Sequence, residues 1–150
     1  NIVSILKEID SLSKIVKEIV ITGIDISDYK IDNEKALSLL IEKLEPYENI
    51  RFRLGSLEQG IVDEKLVKAC KKVNICPHFH LSLQSGCDSV LKRMNRKYTT
   101  KDYIKTVKLL RKNFDNPNIS TDIIVGFPGE TEEEFKKTYE FAKKIIEELK

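Results

Sequence analysis

An amide, a carboxylate and a guanidinium occur in this chain where short apolar strands run out. Gln84 closes the alternating run HFHLSLQ at 78–84, Asp122 sits inside ISTDIIVGF at 119–127, and Arg96 follows Gln84 by twelve residues. Gln84 offers a donor and an acceptor to a sugar hydroxyl, and Asp122 can accept from a pair of hydroxyls. Arg96 carries a planar fork that matches a carboxylate. Small residues attend these groups: Thr22-Gly23, Gly55-Ser56 ahead of Glu58, Gln84-Ser85-Gly86, and Gly126-Phe127-Pro128-Gly129. Their glycines permit close backbone approach or positive φ. Each group also has a plainer use. Residues 126–129 serve equally as a tight strand-to-helix turn, Asp122 as a structural cap or ion-pair partner, and Gln84 as a satisfied core amide.

Other reactive types are less well placed. His78 and His80 share one strand face, as a metal pair would, but no third ligand is spaced to join them. Cys70 lies on an apolar helical face and reads as core. Cys76 and Cys87 lack a C-x-x-C partner, so no metal site is assigned to this chain's own residues. Lys92, Arg93, Arg96, Lys97 and Lys101 form a basic run that suits a solvated helix face or, alternatively, RNA phosphate.

The elements that must hold these groups alternate between short strands and amphipathic helices. The spacing of Ile2, Ile5, Leu6, Ile9 and Leu12 predicts a helix over 2–14, and a strand follows at 18–23. Asn33 is placed to cap a helix with Ala36, Leu37, Leu40, Ile41 and Leu44 inward. NIRFRLGS is the next strand, and Asp63 then caps a helix burying Leu66, Val67, Cys70 and Val73. After HFHLSLQ come a short helix near 89–94 and a longer one that Thr100 can cap, with Tyr103, Ile104, Val107 and Leu110 inward. Thr131 and Glu134 form a capping box for the last helix. Its apolar face is expected at Phe135, Tyr139, Ala142, Ile145, Ile146 and Leu149.

Strands separated by helices imply an α/β fold with parallel pairing through right-handed crossovers. Strands of a doubly wound sheet are covered on both faces and read as continuous apolar runs. Here Phe52 and Leu54 oppose Arg51 and Arg53, and Phe79, Leu81 and Leu83 oppose His78, His80, Ser82 and Gln84. One face packs on helices and the other looks into a polar space, as in part of an open (β/α) TIM-like barrel. Four strands do not close a barrel, and their outer edges leave backbone groups unpaired. Further strands are therefore expected on both sides. The chain opens on Asn1 and stops within a helical pattern, so residues 1–150 are expected to be one partial barrel domain of a longer protein. Hydrophobic content of 41% and charged content of 33% suit a globular domain, and no apolar run reaches membrane-spanning length. A net charge of +2 neither favours nor excludes nucleic acid. Three unevenly spaced cysteines make no disulfide framework, so a reducing cytoplasm is expected.

Four stretches, EIVITGIDISDY, IRFRLGSLE, CPHFHLSLQSGCDSVLKRMNRKYTTKDY and STDIIVGFPGETEEEF, cover nearly the whole chain in order. Together they resemble the radical S-adenosylmethionine (SAM) methylthiotransferases. The pattern Q-S-G-x-D-x-x-L-x-x-M-x-R-x-Y-T is specific to that family, whereas DIIVGFPGET is shared with elongator-type relatives. LGSLE followed by PHFHLSLQSG is similar to the enzymes acting on N6-threonylcarbamoyladenosine in tRNA. The resemblance implies that Thr22 and Gly23 lie near the methionine amino group of SAM, which Glu58 also approaches. It implies that Gln84 and Asp122 bond the ribose, that Arg96 holds the carboxylate, and that Gly126, Phe127 and Pro128 lie against the adenine. Ser85 is counted with these cofactor-binding residues. Gln59, where relatives often carry Pro, and Lys30, where Gly is common, depart from the pattern.

The same resemblance implies radical methylthiolation at adenine C2 of a tRNA anticodon-loop adenosine, using SAM, [4Fe–4S] clusters and an electron donor. The cluster loop, C-x-x-x-C-x-x-C, does not occur in these 150 residues, so the ligands are expected outside them and the piece alone is expected to be inactive. No membrane or DNA partner is expected. The alternatives are an isopentenyladenosine tRNA, ribosomal-protein or elongator-like radical SAM enzyme. A non-catalytic α/β binding domain is a further alternative, and it would hold Gln84, Arg96 and Asp122 apart.

Overall fold

A computed structural model describes residues 1–148, so Leu149 lies outside the described residues. Helix α1 (Ile2–Ser13) starts at Asn1, whose side chain accepts from the Val3 N–H, and leads into β1 (Glu18–Ile21). A small antiparallel hairpin follows, β2 (Lys30–Ile31) and β3 (Glu34–Lys35). It turns through Asp32 and Asn33 at φ of 51° and 65°. A type I′ two-residue hairpin loop needs such a left-handed pair, and Asn and Asp tolerate it. Asn33 is thus a turn residue and not the expected cap: α2 (Leu37–Glu42) begins at Ala36 with no side-chain cap. Its expected inward face holds, because Ala36, Leu37, Leu40, Ile41 and Leu44 are all buried.

The remaining elements are β4 (Arg51–Leu54), α3 (Glu64–Lys71), β5 (His78–His80), α4 (Asp88–Arg93), α5 (Thr100–Asn113), β6 (Asn118–Ser120) and α6 (Glu132–Glu148). Asp63 caps α3 through the Leu66 N–H, as expected. The cap of α5 lies one residue before the expected position. Thr99 and Asp102 form a reciprocal capping box, while Thr100 is already helical and donates its N–H to Asp88.

The strands settle the fold class. β1 pairs with β4 and β5 with β6, all parallel. Parallel bridges Phe52↔Ile75 and Leu57↔Leu81 join β4 to β5. Neighbours in this layer are also successive parallel strands of the chain. A doubly wound sheet reverses its strand order at a switch point; this one does not, so it curves as an arc of a barrel and not as a closed ring. Ile19, Phe52, Leu54, Phe79, Leu81 and Leu83 share one apolar core with α2, α3 and α5. On the other face Glu18, Val20, Arg51, Arg53, His78 and His80 stay exposed or half-buried.

Helix α6 buries only part of the face its apolar residues suggest, Ala142 and Ile145, and is rotated toward Thr138 and Phe141. Thr138 is buried and Phe141 and Ile145 pack on the core, whereas Phe135, Tyr139 and Ile146 are exposed, as are Ile123, Ile124 and Val125 beside it. Polar contacts turn the helix this way. The Ser85 and Thr138 hydroxyls bond at 3.0 Å, and Arg93 reaches Glu134 with Nη1 at 2.9 Å and Nη2 at 2.7 Å. Thr131 and Glu134 form the expected capping box. The Arg93 guanidinium, the Ser89 hydroxyl and the Thr131 N–H hold the Glu134 carboxyl well below the usual carboxylate range. A depressed carboxyl contributes fully above its unfolded pKa of about 4.5 and is lost as pH falls through the folded value. Amide protection factors in the first turns of α6, corrected for the intrinsic pH dependence of exchange, are expected to be high at pH 5 and to fall well below pH 4. Equal protection at pH 5 and pH 2 contradicts this.

Candidate functional site

The candidate groups follow the C-terminal ends of the strands, and identifiable contacts hold the loops that carry them. Helix α4 ends in a Schellman motif: Arg96 N–H bonds Leu91 O and Asn95 N–H bonds Lys92 O, with Asn95 at φ 57°. That left-handed turn reverses the chain and delivers Arg96 beside Glu58, Nη1 to Oε1 at 3.4 Å. Two residues on, the Tyr98 hydroxyl donates to the carbonyls of Ser82 at 2.7 Å and Leu83 at 3.1 Å. Burial pushes the Tyr98 phenol up to about 12, so it remains a donor across the neutral range. The Ser82 carbonyl also accepts Gln59 Nε2 at 2.8 Å. The end of β5 is therefore tied to both the Glu58 loop and the Arg96 loop. Asn95, Tyr98 and Gln59 perform this positioning, and the sequence reading assigned none of them that task.

Gln84 holds a left-handed φ of 67° while its backbone still pairs with the last strand, donating to Asp122 O at 2.9 Å and accepting from Ile124 N–H at 2.8 Å. A left-handed non-glycine residue costs about 1–2 kcal/mol. Backbone needs alone are met better by glycine, so the residue type points to the side chain. The Gln84 amide makes no hydrogen bond among the described residues and is only half-buried, which removes the core-amide reading. Asp122 follows β6 and is largely exposed, with His80 Nε2 at 3.2 Å from its Oδ2. Thr22 is exposed at the end of β1, and a Cβ on Gly55 would come within 3.0 Å of its hydroxyl.

Two of the sequence candidates behave differently. The Ser85 side chain is fully buried; its hydroxyl bonds Thr138 and accepts the Cys87 N–H. Its hydroxyl is turned to α6, whereas the neighbouring Gln84 side chain is half-buried. Residues 126–129 form a turn with Gly126 at φ 71° and Gly129 at φ 78°. Glu130 accepts the Gly126 N–H at 2.6 Å and donates its own N–H to Phe127 O at 2.7 Å. These bonds close the turn, although Glu130 Oε1 is buried without a partner among the described residues, and Gly126 and Pro128 stay exposed on it.

Two apolar hollows lie elsewhere. One of about 390 Å³ sits between α1 and β1, with Thr22 and Gly23 in its lining. Another of about 320 Å³ lies under α5 and α6. Gln84, Arg96 and Asp122 line neither. Cys70, Cys76 and Cys87 are separately buried, and burial pushes the Cys70 thiol up to about 12. They do not fit a cluster loop.

Ligand groups at the carboxyl ends of successive parallel strands are the layout of a (β/α)-barrel enzyme. The family model described as Radical SAM superfamily matches residues 1–142, and the chain belongs to that superfamily. Threonylcarbamoyladenosine tRNA methylthiotransferase MtaB of Thermotoga maritima is 44% identical over 131 residues, 86% of this chain and 30% of that protein. A tRNA-2-methylthio-N(6)-dimethylallyladenosine synthase of Clostridium novyi is 41% identical over 153 residues, 97% of this chain and 32% of that protein. The chain thus spans about a third of the length of the curated relatives it matches. Among solved structures, the cobalamin-dependent SAM radical enzyme OxsB superposes with a TM-score of 0.72 over 94% of this chain and 22% of its own, at 16% identity. That likeness establishes the fold.

The superfamily uses SAM, and the residues present fit it. Among the described residues Arg96 Nε is buried with no partner and the guanidinium has one long bond, to Glu58, so its fork is available to a carboxylate. Glu58 beside it matches an ammonium. The pair is complementary to an α-amino acid zwitterion, and Gln84 with Asp122 offers the donors and acceptors a ribose needs.

Proposed function

We propose that this chain is the SAM-binding arc of a tRNA methylthiotransferase whose full-length form converts N6-threonylcarbamoyladenosine to its 2-methylthio derivative. The Arg96–Glu58 pair, with its unpartnered Nε, is the observation that carries the cofactor reading. Arg96 and Glu58 orient the amino acid end, Thr22 and Gly23 adjoin it, Gln84 and Asp122 hold the ribose, and the 126–128 backbone abuts the adenine. Bound SAM supplies a methyl group and, with a reduced [4Fe–4S] cluster, the oxidising power to activate a C–H bond. The cluster ligands, the sulfur source, the electron-donor contact and the RNA-binding surface are assigned to the rest of the protein, so the piece alone is inactive. The reading suits a cytoplasmic enzyme; among the described residues no helix is long and apolar enough to cross a membrane.

The substrate assignment rests on LGSLE and PHFHLSLQSG, and MtaB proteins of Thermotoga maritima and Aquifex aeolicus match at 44% and 43%. The isopentenyladenosine reading is second, supported by the 41% relative. Nucleoside analysis of tRNA separates them. Cells lacking the protein are expected to lose 2-methylthio-threonylcarbamoyladenosine and keep 2-methylthio-isopentenyladenosine. The opposite pattern transfers the assignment to the second branch.

A further inference from the structure

We infer that His80 is a positioning residue for Asp122, held in one tautomer by a one-way chain of hydrogen bonds that begins at Arg53. This rests on reading Asp122 as a ribose ligand. The inner face of the arc supplies the geometry. Alternate residues of neighbouring strands share that face, so 78 and 80 on β5 stand beside 120 and 122 on the last strand, with His80 in register with Ser120. The contacts zigzag upward. Arg53 Nη1 lies 3.1 Å from His78 Nδ1, and His78 Nε2 lies 3.1 Å from Ser120 Oγ. Ser120 Oγ lies 3.0 Å from His80 Nδ1, and His80 Nε2 lies 3.2 Å from Asp122 Oδ2.

The direction follows from the first link. A guanidinium has donors only, so His78 Nδ1 accepts and its ring proton sits on Nε2. Ser120 Oγ accepts that proton's bond and turns its own hydrogen to His80 Nδ1. His80 then carries its proton on Nε2 and donates to Asp122. Glu18 anchors the start of the chain by accepting from Arg53 Nε at 3.3 Å and from Arg51. At the other end, the Asp122 side chain is 70% exposed and has no other partner among the described residues. Without His80 its carboxylate would rotate freely. With Oδ2 engaged, Oδ1 is left to face a diol.

The test uses the full-length protein with its cluster and two probes, S-adenosylhomocysteine and its 2′,3′-dideoxy analogue. His80→Phe is expected to weaken S-adenosylhomocysteine about tenfold, the worth of one hydrogen bond to a charged group, and to leave the dideoxy analogue unchanged. His80→Gln, which keeps an N–H directed at Asp122, is expected to recover most of the loss. Long-range proton–nitrogen spectra of the native protein are expected to show both imidazoles as neutral Nε2–H tautomers. An Nδ1–H or charged ring at 80 overturns the inference even if the variants fail to fold. Equal losses for both probes also overturn it, as does no loss in His80→Phe while Asp122→Asn weakens binding; in that last case the SAM site stands. If Asp122→Asn has no effect either, the ribose reading itself has failed and the positioning role falls with it.

Discussion

Gly86→Ala is expected to lower the stability of the chain by about 1–3 kcal/mol, the usual cost of overpacking a filled site. A Cβ at Gly86 would lie 2.8 Å from Phe141 Cβ, 2.9 Å from Thr138 Cα and 3.0 Å from Phe141 Cδ1. The first two atoms belong to or adjoin the backbone of α6, so no rotamer change relieves the clash and the helix itself must retreat. Retreat loosens the Ser85–Thr138 bond and the edge-on contact of Tyr103 with Phe141, whose ring centroids are 6.3 Å apart. Gly60→Ala is the control, because nothing lies within 4 Å of its added Cβ. Denaturant titration is expected to show a lower midpoint for the first variant at unchanged slope, and little change for the second. A Gly86→Ala midpoint matching the native one would mean that α6 is not held against the β5 end.

How far the sequence reaches depends on whether a feature is local or requires contact. The alternation of Arg51, Phe52, Arg53 and Leu54 reports a strand with two unlike faces, and that pattern distinguished a barrel arc from a doubly wound sheet. The Thr131–Glu134 box was equally legible, because both halves of the motif lie within one turn. Asn33 was misread because a helix cap and a hairpin turn favour the same residue type, and only the pairing of Lys30 with Lys35 decides between them. The face of α6 is only partly legible, for a different reason. Its apolar residues wrap more than one side, and the buried side is chosen by Gly86, Ser85 and Arg93 from another part of the chain. At the candidate site, Gln84, Asp122 and Arg96 are legible as residue types out of place, and their ligand roles remain those proposed above. The link that brings Arg96 to Glu58 was not, since it depends on the left-handed Asn95 and on the Tyr98 and Gln59 bonds to the Ser82 carbonyl. The spacing of His78 and His80 also suits a metal pair, whereas the structure spends their nitrogens on Arg53, Ser120 and Asp122.

Arg96→Met is expected to weaken SAM binding by the full-length protein about 30- to 100-fold, while the protein stays folded. Losing a bidentate, charge-assisted contact to a carboxylate typically removes about 2–3 kcal/mol, and each 1.4 kcal/mol is a factor of ten. Folding is spared because the bond to Glu58 is long, 3.4 Å, and both side chains are partly solvated, at 32% and 45% exposure. Ion pairs in that setting contribute little to stability. Methionine keeps the apolar stem that packs beneath the guanidinium. Arg96→Lys is expected to recover only part of the affinity, because an ammonium lacks the planar fork. The ligand 5′-methylthioadenosine separates anchoring from general damage, since it has the ribose and adenine but no amino acid. Its affinity is expected to be the same in Arg96→Met and in the native protein. Parallel losses for SAM and 5′-methylthioadenosine would place Arg96 in the framework of the site and leave the methionine carboxylate to be held by another residue.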